Sequence, residues 1–417
     1  MGQPSVLIVA HAFPPENITG ALRPARFFKY LPRHGIATRV VSARPDLAAA
    51  ERVTRVPVAH PPMGARARAE VLRWVQRFLL PYNDELPWVP HAVAAAERMM
   101  ERGEVNTILS TFPPVATHAV GLWLKRKHGI RWVADFRDPF ATNPFRTRKW
   151  FFDYDGRFER AIFESADIVV ANTDGAAAHW RDLYPEAARK IHVIWNGFDP
   201  GQPFPTQPAR AGGPLVISHT GTLYGGRHPG LFLESLERLI AAGKLDPAAL
   251  RVELVGPVEP YARSGFEGVL ARMPAGMVEC AGKSIPQSEA NLRMASCDIL
   301  LMLDMNDHGH SVQVPAKLFD YARCDRPVLS FTSRGSPLER ILSNSGIEHL
   351  CLYPNDRAER IDEGVLAFLG AGRRPSRANA GFWQTFDGER QCALLAGLIS
   401  GSGPSVPEPV RTSGIPA

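Results

Sequence analysis

A short apolar run that leads through a glycine-bearing loop into a stretch with helical spacing occurs twice in this chain. The first copy is Ser5-Val-Leu-Ile-Val-Ala10, the loop from His11 to Gly20, and the helical pattern from Ala21 to His34, followed by the apolar run Ala37 to Ser42. The second copy is Leu215 to His219, the loop Thr220-Gly-Thr-Leu-Tyr-Gly-Gly-Arg-His-Pro229, the helical pattern from Gly230 to Ala242, and the run Val252 to Val255. Apolar runs without polar alternation are strands buried on both faces, and strand, loop, helix, strand is the βαβ unit of a parallel sheet. Between the copies, residues 200–214 carry Pro203, Pro205, Pro208, Gly212, Gly213 and Pro214 with little apolar pattern, which reads as a linker. The pattern predicts two doubly wound α/β domains, 1–200 and 215–377, joined by 201–214. A chain of 417 residues suits two such cores of roughly 200 residues each.

Further strands are expected at Val105 to Ser110, Arg131 to Asp135, Ala166 to Ala171 and Ile191 to Ile194 in the first domain. The second adds Val278 to Ala281, Asp298 to Leu303 and Val328 to Phe331. A last helical pattern, Ala378 to Ile399, precedes a Ser/Gly/Pro-rich tail expected to be disordered. With 45% hydrophobic and 22% charged residues the composition is that of a soluble globular protein, and no apolar run reaches the length of a membrane span. The start of the chain shows no leader pattern. Five cysteines (280, 297, 324, 351 and 392) form no CxxC pair, which fits buried thiols in a reducing compartment better than disulfides or zinc. These readings predict a cytoplasmic protein. The formal charge of +6 admits an anionic nucleotide or membrane face. No continuous arginine stripe supports nucleic acid as a partner. Residues 66–80 mix Arg66, Arg68, Arg73 and Arg77 with Leu72, Trp74, Phe78 and Leu79. That is either a basic amphipathic helix for an anionic bilayer or a helix packed on its own domain.

Ligands of doubly wound sheets bind outside the carboxyl ends of the strands, so the candidate site residues are those in the loops there. From the first domain these are Gly20, His118 and the group Asp135, Arg137 and Asp138. Gly20 would allow close backbone approach to an anion, or is a plain turn residue. His118 could orient a hydroxyl or a reacting centre, or is an ordinary half-buried histidine. Asp135 could bind substrate, or pair with Arg137 as a structural bridge. From the second domain come Gly221, Thr222 and Arg227, in a glycine-rich loop that could bring a guanidinium onto a diphosphate. The stretch Val314-Pro-Ala-Lys-Leu-Phe-Asp-Tyr321 opens a helix that Pro327 ends, with Val328 to Phe331 as the next strand. A diphosphate over Val314 to Lys317 and Leu318, with its ribose hydroxyls on Asp320, is a sensible arrangement. His308-Gly-His310 with Asp304 and Asp307 lacks a stiff metal-ligand spacing and reads as a polar loop.

Several of these stretches together resemble glycosyltransferase family 4, of the bacterial surface-polysaccharide type. The motifs are His11-Ala-Phe-Pro-Pro-Glu-Asn, Trp132-Val-Ala-Asp-Phe-Arg-Asp-Pro139, Ala166-Asp-Ile-Val-Val, Ile194-Trp-Asn-Gly-Phe-Asp199, Gly221-Thr-Leu-Tyr-Gly-Gly-Arg227 and Val314 to Tyr321. The resemblance runs from Val6 to about Leu398. It implies the GT-B fold, two Rossmann-like domains facing a central cleft, with the acceptor in the first, the sugar nucleotide in the second, and a last helix, 378–399, crossing back to the first. It implies that Gly20 closes on the donor phosphates, that His118 contacts the donor sugar, and that Arg227 steadies the diphosphate. Of the family's paired glutamates, the ribose-binding one falls on Asp320. The other falls on Val312, which cannot bind a hydroxyl, so Asp307, His308, His310 or backbone would take over that role.

The activity implied is retaining, metal-independent glycosyl transfer from a nucleotide-diphosphate sugar to an acceptor hydroxyl. No cofactor is expected, and His118, Arg227 and Lys317 are the catalytic candidates. A lipid-linked or polysaccharide acceptor at the inner membrane suits the basic stretch 66–80. Two alternatives stay open: a soluble small-molecule acceptor, and a non-catalytic nucleotide or glycan binder on the same fold.

Overall fold

The computed structural model describes residues 3–16, 18–44, 46–47, 50–58, 85–142, 151–207, 211–304 and 313–402, with the backbone alone for 151–154. The expectations placed on residues 66–80, on Asp307, His308, His310 and Val312, and on the tail beyond residue 402 therefore lie outside the described residues. The chain divides into two compact units, one formed by Met1–Asn196 with the segment from Gly388 onward, the other by Gly197–Asp387.

The first unit holds a seven-stranded parallel sheet. Its strands are β1 (Ser5–Val9), β2 (Ala37–Ser42), β3 (Val53–Arg55), β4 (Thr107–Phe112), β5 (Arg131–Phe136), β6 (Ile168–Ala171) and β7 (Ile191–Val193), in the order β3-β2-β1-β4-β5-β6-β7. The order reverses between β1 and β4, which pair with Val6 opposite Thr107 and Val9 opposite Ser110. Both faces of this sheet are covered. One carries Trp88, Trp132, Phe136, Phe163 and Trp180, the other Phe27, Tyr30 and Leu31 together with Cys392, Leu395 and Ile399 from the last helix. Burial on both sides is why β1 and β4 lack polar alternation.

The second unit repeats the plan with six strands: β8 (Leu215–Thr220), β9 (Leu250–Val255), β10 (Val278–Cys280), β11 (Ile299–Leu303), β12 (Val328–Phe331) and β13 (His349–Leu352). The order is β10-β9-β8-β11-β12-β13, with the reversal between β8 and β11. Local chemistry explains several element ends. Thr173 caps the helix Asp174–Leu183 by accepting from the Ala176 amide at 3.0 Å. Gly129, at φ +66°, closes the helix Val115–His128, whose last turn holds Lys125, Arg126, Lys127 and His128 against the negative end of the helix dipole.

Three details differ from the sequence reading. The stretch expected as one final helix is two, Ala380–Phe386 and Gly388–Ser400, and the boundary between the units falls at Asp387. The second of these packs on the first unit through Cys392 and Leu395. The described part of the expected linker belongs to the second unit, where Arg373 donates to the carbonyls of Gly213 and Pro214 at 2.8 and 2.7 Å. Short edge strands β3 and β13 were not expected.

Candidate active site

In the first unit, the carboxyl ends of β4 and β5 carry a buried ion pair. Asp135, the fifth residue of β5, accepts from Arg23 of the helix Thr19–Tyr30, with Nη2 at 2.7 Å and Nε at 3.0 Å from Oδ1. The Thr111 hydroxyl donates to Asp135 Oδ2 at 2.7 Å, while Arg23 Nη1 reaches the Trp195 carbonyl and Asn196 Oδ1 at 3.1 and 3.2 Å. Arg137 takes no part in that pair. Its guanidinium donates to the carbonyls of Phe112 (2.9 Å), Gly20 (2.7 Å) and Pro113 (2.6 Å). The expected Asp135–Arg137 bridge is thus replaced by Asp135–Arg23, because Arg137 is taken up by main-chain oxygens of two turns. Asp138 is half-buried beside it and faces the Arg137 charge.

His118 is not at the surface of its loop. It is 0% exposed, with Nδ1 2.7 Å from Ser110 Oγ, which also accepts from Trp132 Nε1 at 2.8 Å. The rings of Phe112, Trp132 and Phe136 surround it. Burial pushes its pKa down to about 3, so it is neutral. From this position His118 packs behind β4, and its Nε2 is buried without a hydrogen-bond partner among the described residues. The residue beginning a helix after a Pro-Pro turn lies inside the fold here because the first helical turn, Val115 to His118, packs onto the sheet.

The second unit brings its candidates together at the carboxyl ends of β8 and β11. Arg227 is only 6% exposed; its Nη1 donates to the Tyr224 hydroxyl at 2.8 Å, and its Nη2 lies 3.8 Å from Asp304 Oδ1. The guanidinium also sits 4.8 Å above the Tyr224 ring. Asp304, directly after β11, is anchored by the Thr332 hydroxyl at 2.9 Å. Lys317 begins the short helix Lys317–Tyr321 and its Nζ lies 3.0 Å from His219 Nε2 on β8. The Tyr321 hydroxyl fastens that helix by accepting from the Thr220 amide and donating to the Leu301 carbonyl, at 3.1 and 3.2 Å.

Gly221 is required where it stands. Its φ is +137°, and a Cβ there would lie 2.4 Å from Lys317 Nζ. Its amide is taken by the Val255 carbonyl at 2.8 Å, so Gly221 contributes closeness of backbone and no free N–H. Gly256 follows the same logic, since a Cβ on it would lie 2.5 Å from the Gly221 carbonyl oxygen. Val314 and Leu318 are buried core side chains, whereas Asp320 is half-buried on the helix that Lys317 opens, and Thr222 is half-buried in the β8 loop. Burial first, then the Arg227 charge, pushes the Lys317 ammonium well below its ordinary range. His219 is pushed well below its ordinary value by burial and then by Lys317. Two basic groups thus converge on one glycine turn, and Asp304 is the carboxylate at ion-pair distance from Arg227 among the described residues. His219, Tyr321 and Arg23 had no signal of their own in the sequence, since each acts through a partner far away along the chain.

Among the described residues, no helix is long and apolar enough to cross a membrane, and no group of three or more His, Cys, Asp or Glu could hold a metal ion.

The comparisons with known proteins fit this architecture. Residues 25–202 match the family model Glycosyltransferase Family 4. No curated protein sequence matches the chain. Among solved structures, the sucrose-phosphate synthase of Thermosynechococcus elongatus is similar at a TM-score of 0.67 and 14% identity, over 96% of this chain and 98% of that one. Anabaena HepE in complex with UDP-glucose is similar at 0.63 and 14% identity, over 95% and 99%. The catalytic domain of starch synthase IV from Arabidopsis thaliana, bound to ADP and acarbose, is similar at 0.61 and 12% identity, over 96% and 99%. The match over residues 25–202, nearly all of them in the first unit, makes the chain similar to glycosyltransferase family 4, and its two doubly wound units have the fold of the GT-B glycosyltransferases.

Proposed function

We propose that this protein transfers a sugar from a nucleotide-diphosphate sugar to an acceptor hydroxyl, and that the donor diphosphate binds the second unit at Arg227 and Lys317. The observation that carries this reading is the convergence of those two cations on the glycine turn at Gly221, at the point where the strand order reverses, with Asp304 at 3.8 Å from Arg227 Nη2. A buried site with surplus positive charge is matched by a ligand with surplus negative charge, and a diphosphate has the right size and valence. Asp320, three residues along the helix from Lys317, takes the vicinal ribose hydroxyls. The UDP-glucose and ADP complexes of the similar structures support a nucleotide-linked donor.

During transfer the bond between the anomeric carbon and the diphosphate oxygen breaks. Charge builds on that oxygen, and Arg227 and Lys317 stabilise it without a metal ion. The acceptor oxygen bonds to the anomeric carbon on the face the diphosphate leaves, giving retention, and the hydroxyl proton passes to the departing phosphate. The acceptor is a lipid-linked or polysaccharide intermediate at the inner membrane face. Support for this comes from the basic, aromatic pattern of residues 66–80. The test is release of nucleoside diphosphate from UDP-, GDP-, ADP- and dTDP-sugars, with and without EDTA, on an undecaprenyl-diphosphate-sugar acceptor and on a soluble sugar. Turnover that survives EDTA and prefers the lipid acceptor supports the reading; loss of turnover with EDTA, or preference for the soluble acceptor, contradicts it.

A further inference from the structure

His219 is buried in the middle of the second unit, and both of its ring nitrogens are committed. Nδ1 lies 3.0 Å from the Leu301 carbonyl on β11. A carbonyl only accepts, so Nδ1 carries the proton. In the neutral ring Nε2 is then an acceptor, and it faces Lys317 Nζ at 3.0 Å. A second proton on the ring would set an N–H⁺ against an ammonium, so imidazole is the form that fits. Lys317 is otherwise poorly compensated: among the described residues no carboxylate contributes to holding its charge, and Arg227 opposes it. Among the described residues the charged and titratable groups that act on it are His219 on β8 and Arg227 in the loop after β8, and Arg227 in turn meets the Tyr224 hydroxyl and Asp304.

Resting on the donor-site reading above, we propose that His219 is a positioning residue for the diphosphate. As a neutral imidazole locked by the Leu301 carbonyl, it accepts from Lys317 and fixes the ammonium against Gly221, where the ligand supplies the missing negative charge. One consequence concerns protons. A dianionic ligand favours the charged form of Lys317, so binding takes up a proton wherever the free lysine is partly neutral. Affinity therefore falls as pH rises.

The test is magnesium-free calorimetric titration of the whole protein with UDP, GDP, ADP and dTDP at pH about 8 and above, about two units past the second phosphate pKa, where the phosphate is almost fully ionised. His219→Asn keeps a donor for Leu301 and removes the acceptor for Lys317; His219→Gln places an acceptor near the position of Nε2. For the diphosphate that binds wild type best, His219→Asn is expected to weaken binding about tenfold. The fall of affinity with pH should move to lower pH, because the ammonium has lost an acceptor. In a Lys317→Met background the same change should matter less than about twofold, and His219→Gln should recover part of the wild-type affinity. An equal loss in both backgrounds, or an unmoved pH profile, overturns the proposal. If His219→Asn does not fold, ¹⁵N-histidine NMR of wild type decides: a neutral Nδ1–H ring whose Nε2 resonance shifts on diphosphate binding supports it, and an imidazolium or Nε2–H ring overturns it. Absence of binding by wild type would remove the donor reading itself, whereas binding with an additive cycle removes only the role of His219.

Discussion

Arg23 and Asp135 are 112 residues apart in the chain and form a fully buried ion pair at the carboxyl edge of the first sheet, with Arg23 Nη2 2.7 Å from Asp135 Oδ1. The pair ties the first helix to β5 and, through Arg23 Nη1, to the chain at Trp195 and Asn196. Removing one charge from such a pair leaves the other buried and uncompensated. Asp135→Asn is expected to destabilise the first unit by about 3–5 kcal/mol. Urea denaturation followed by the fluorescence of Trp132 and Trp180, both buried in that unit, measures it. A loss under about 1 kcal/mol, the range of an exposed pair, would contradict the pair's place in the core.

Gly221→Ala separates two effects. The clash would be with the end of the flexible Lys317 side chain, 2.4 Å from the added Cβ, so it is relieved by moving the ammonium. The φ of +137° is not relieved and costs about 1–3 kcal/mol of stability. The expected outcome is a modest loss of stability together with a loss of nucleoside-diphosphate affinity as large as that of Lys317→Met. Calorimetric titration and thermal melting of both variants check it.

Acid should destabilise the protein through its buried histidines. Burial lowers His118 from 6.5 to about 3, so between those values the unfolded chain binds a proton that the folded one refuses. Stability is therefore complete above about pH 6.5 and is lost as pH falls toward 3. The limiting slope is about 1.4 kcal/mol per pH unit for this group. His219, lowered in the same direction, adds to it. Denaturation midpoints from pH 7 to pH 4 should fall for wild type and fall less steeply for His118→Phe.

The sheet cores were legible in the residues because burial on both faces removes polar alternation. Ala37–Ser42 and Val328–Phe331 form at the expected residues, and Arg131–Phe136 extends one residue past expectation. The edge strands Val53–Arg55 and His349–Leu352 are not legible, since the first has a single apolar residue and the second has an apolar run of only three residues in a half-exposed setting. The glycine loop of the second unit and the helix opening at Lys317 were legible as a nucleotide-type pair from their residue types alone. Their mutual placement was not. Contact between Lys317 and His219 depends on how β8, β11 and the short helix stack, and no local pattern records it. His118 follows a Pro-Pro turn, a position that admits either a site role or a half-buried ring, and its packing among Phe112, Trp132 and Phe136 depends on contacts that no local pattern records. Asp135 reads as a site candidate because it ends a strand, but its partner Arg23 lies too far away in the chain for the pair to be legible.

The most direct measurement is the thermal shift of the protein with UDP, GDP, ADP and dTDP in the absence of magnesium, on wild type, Arg227→Ala and Lys317→Met. At ligand concentrations about 100 times the dissociation constant, binding stabilises the folded state by about 2.7 kcal/mol, enough to raise the melting temperature by several degrees. Stabilisation by at least one diphosphate that is clearly smaller in both variants is the expected result. No shift with any diphosphate, or a shift that both variants keep, would contradict a diphosphate site at Arg227 and Lys317.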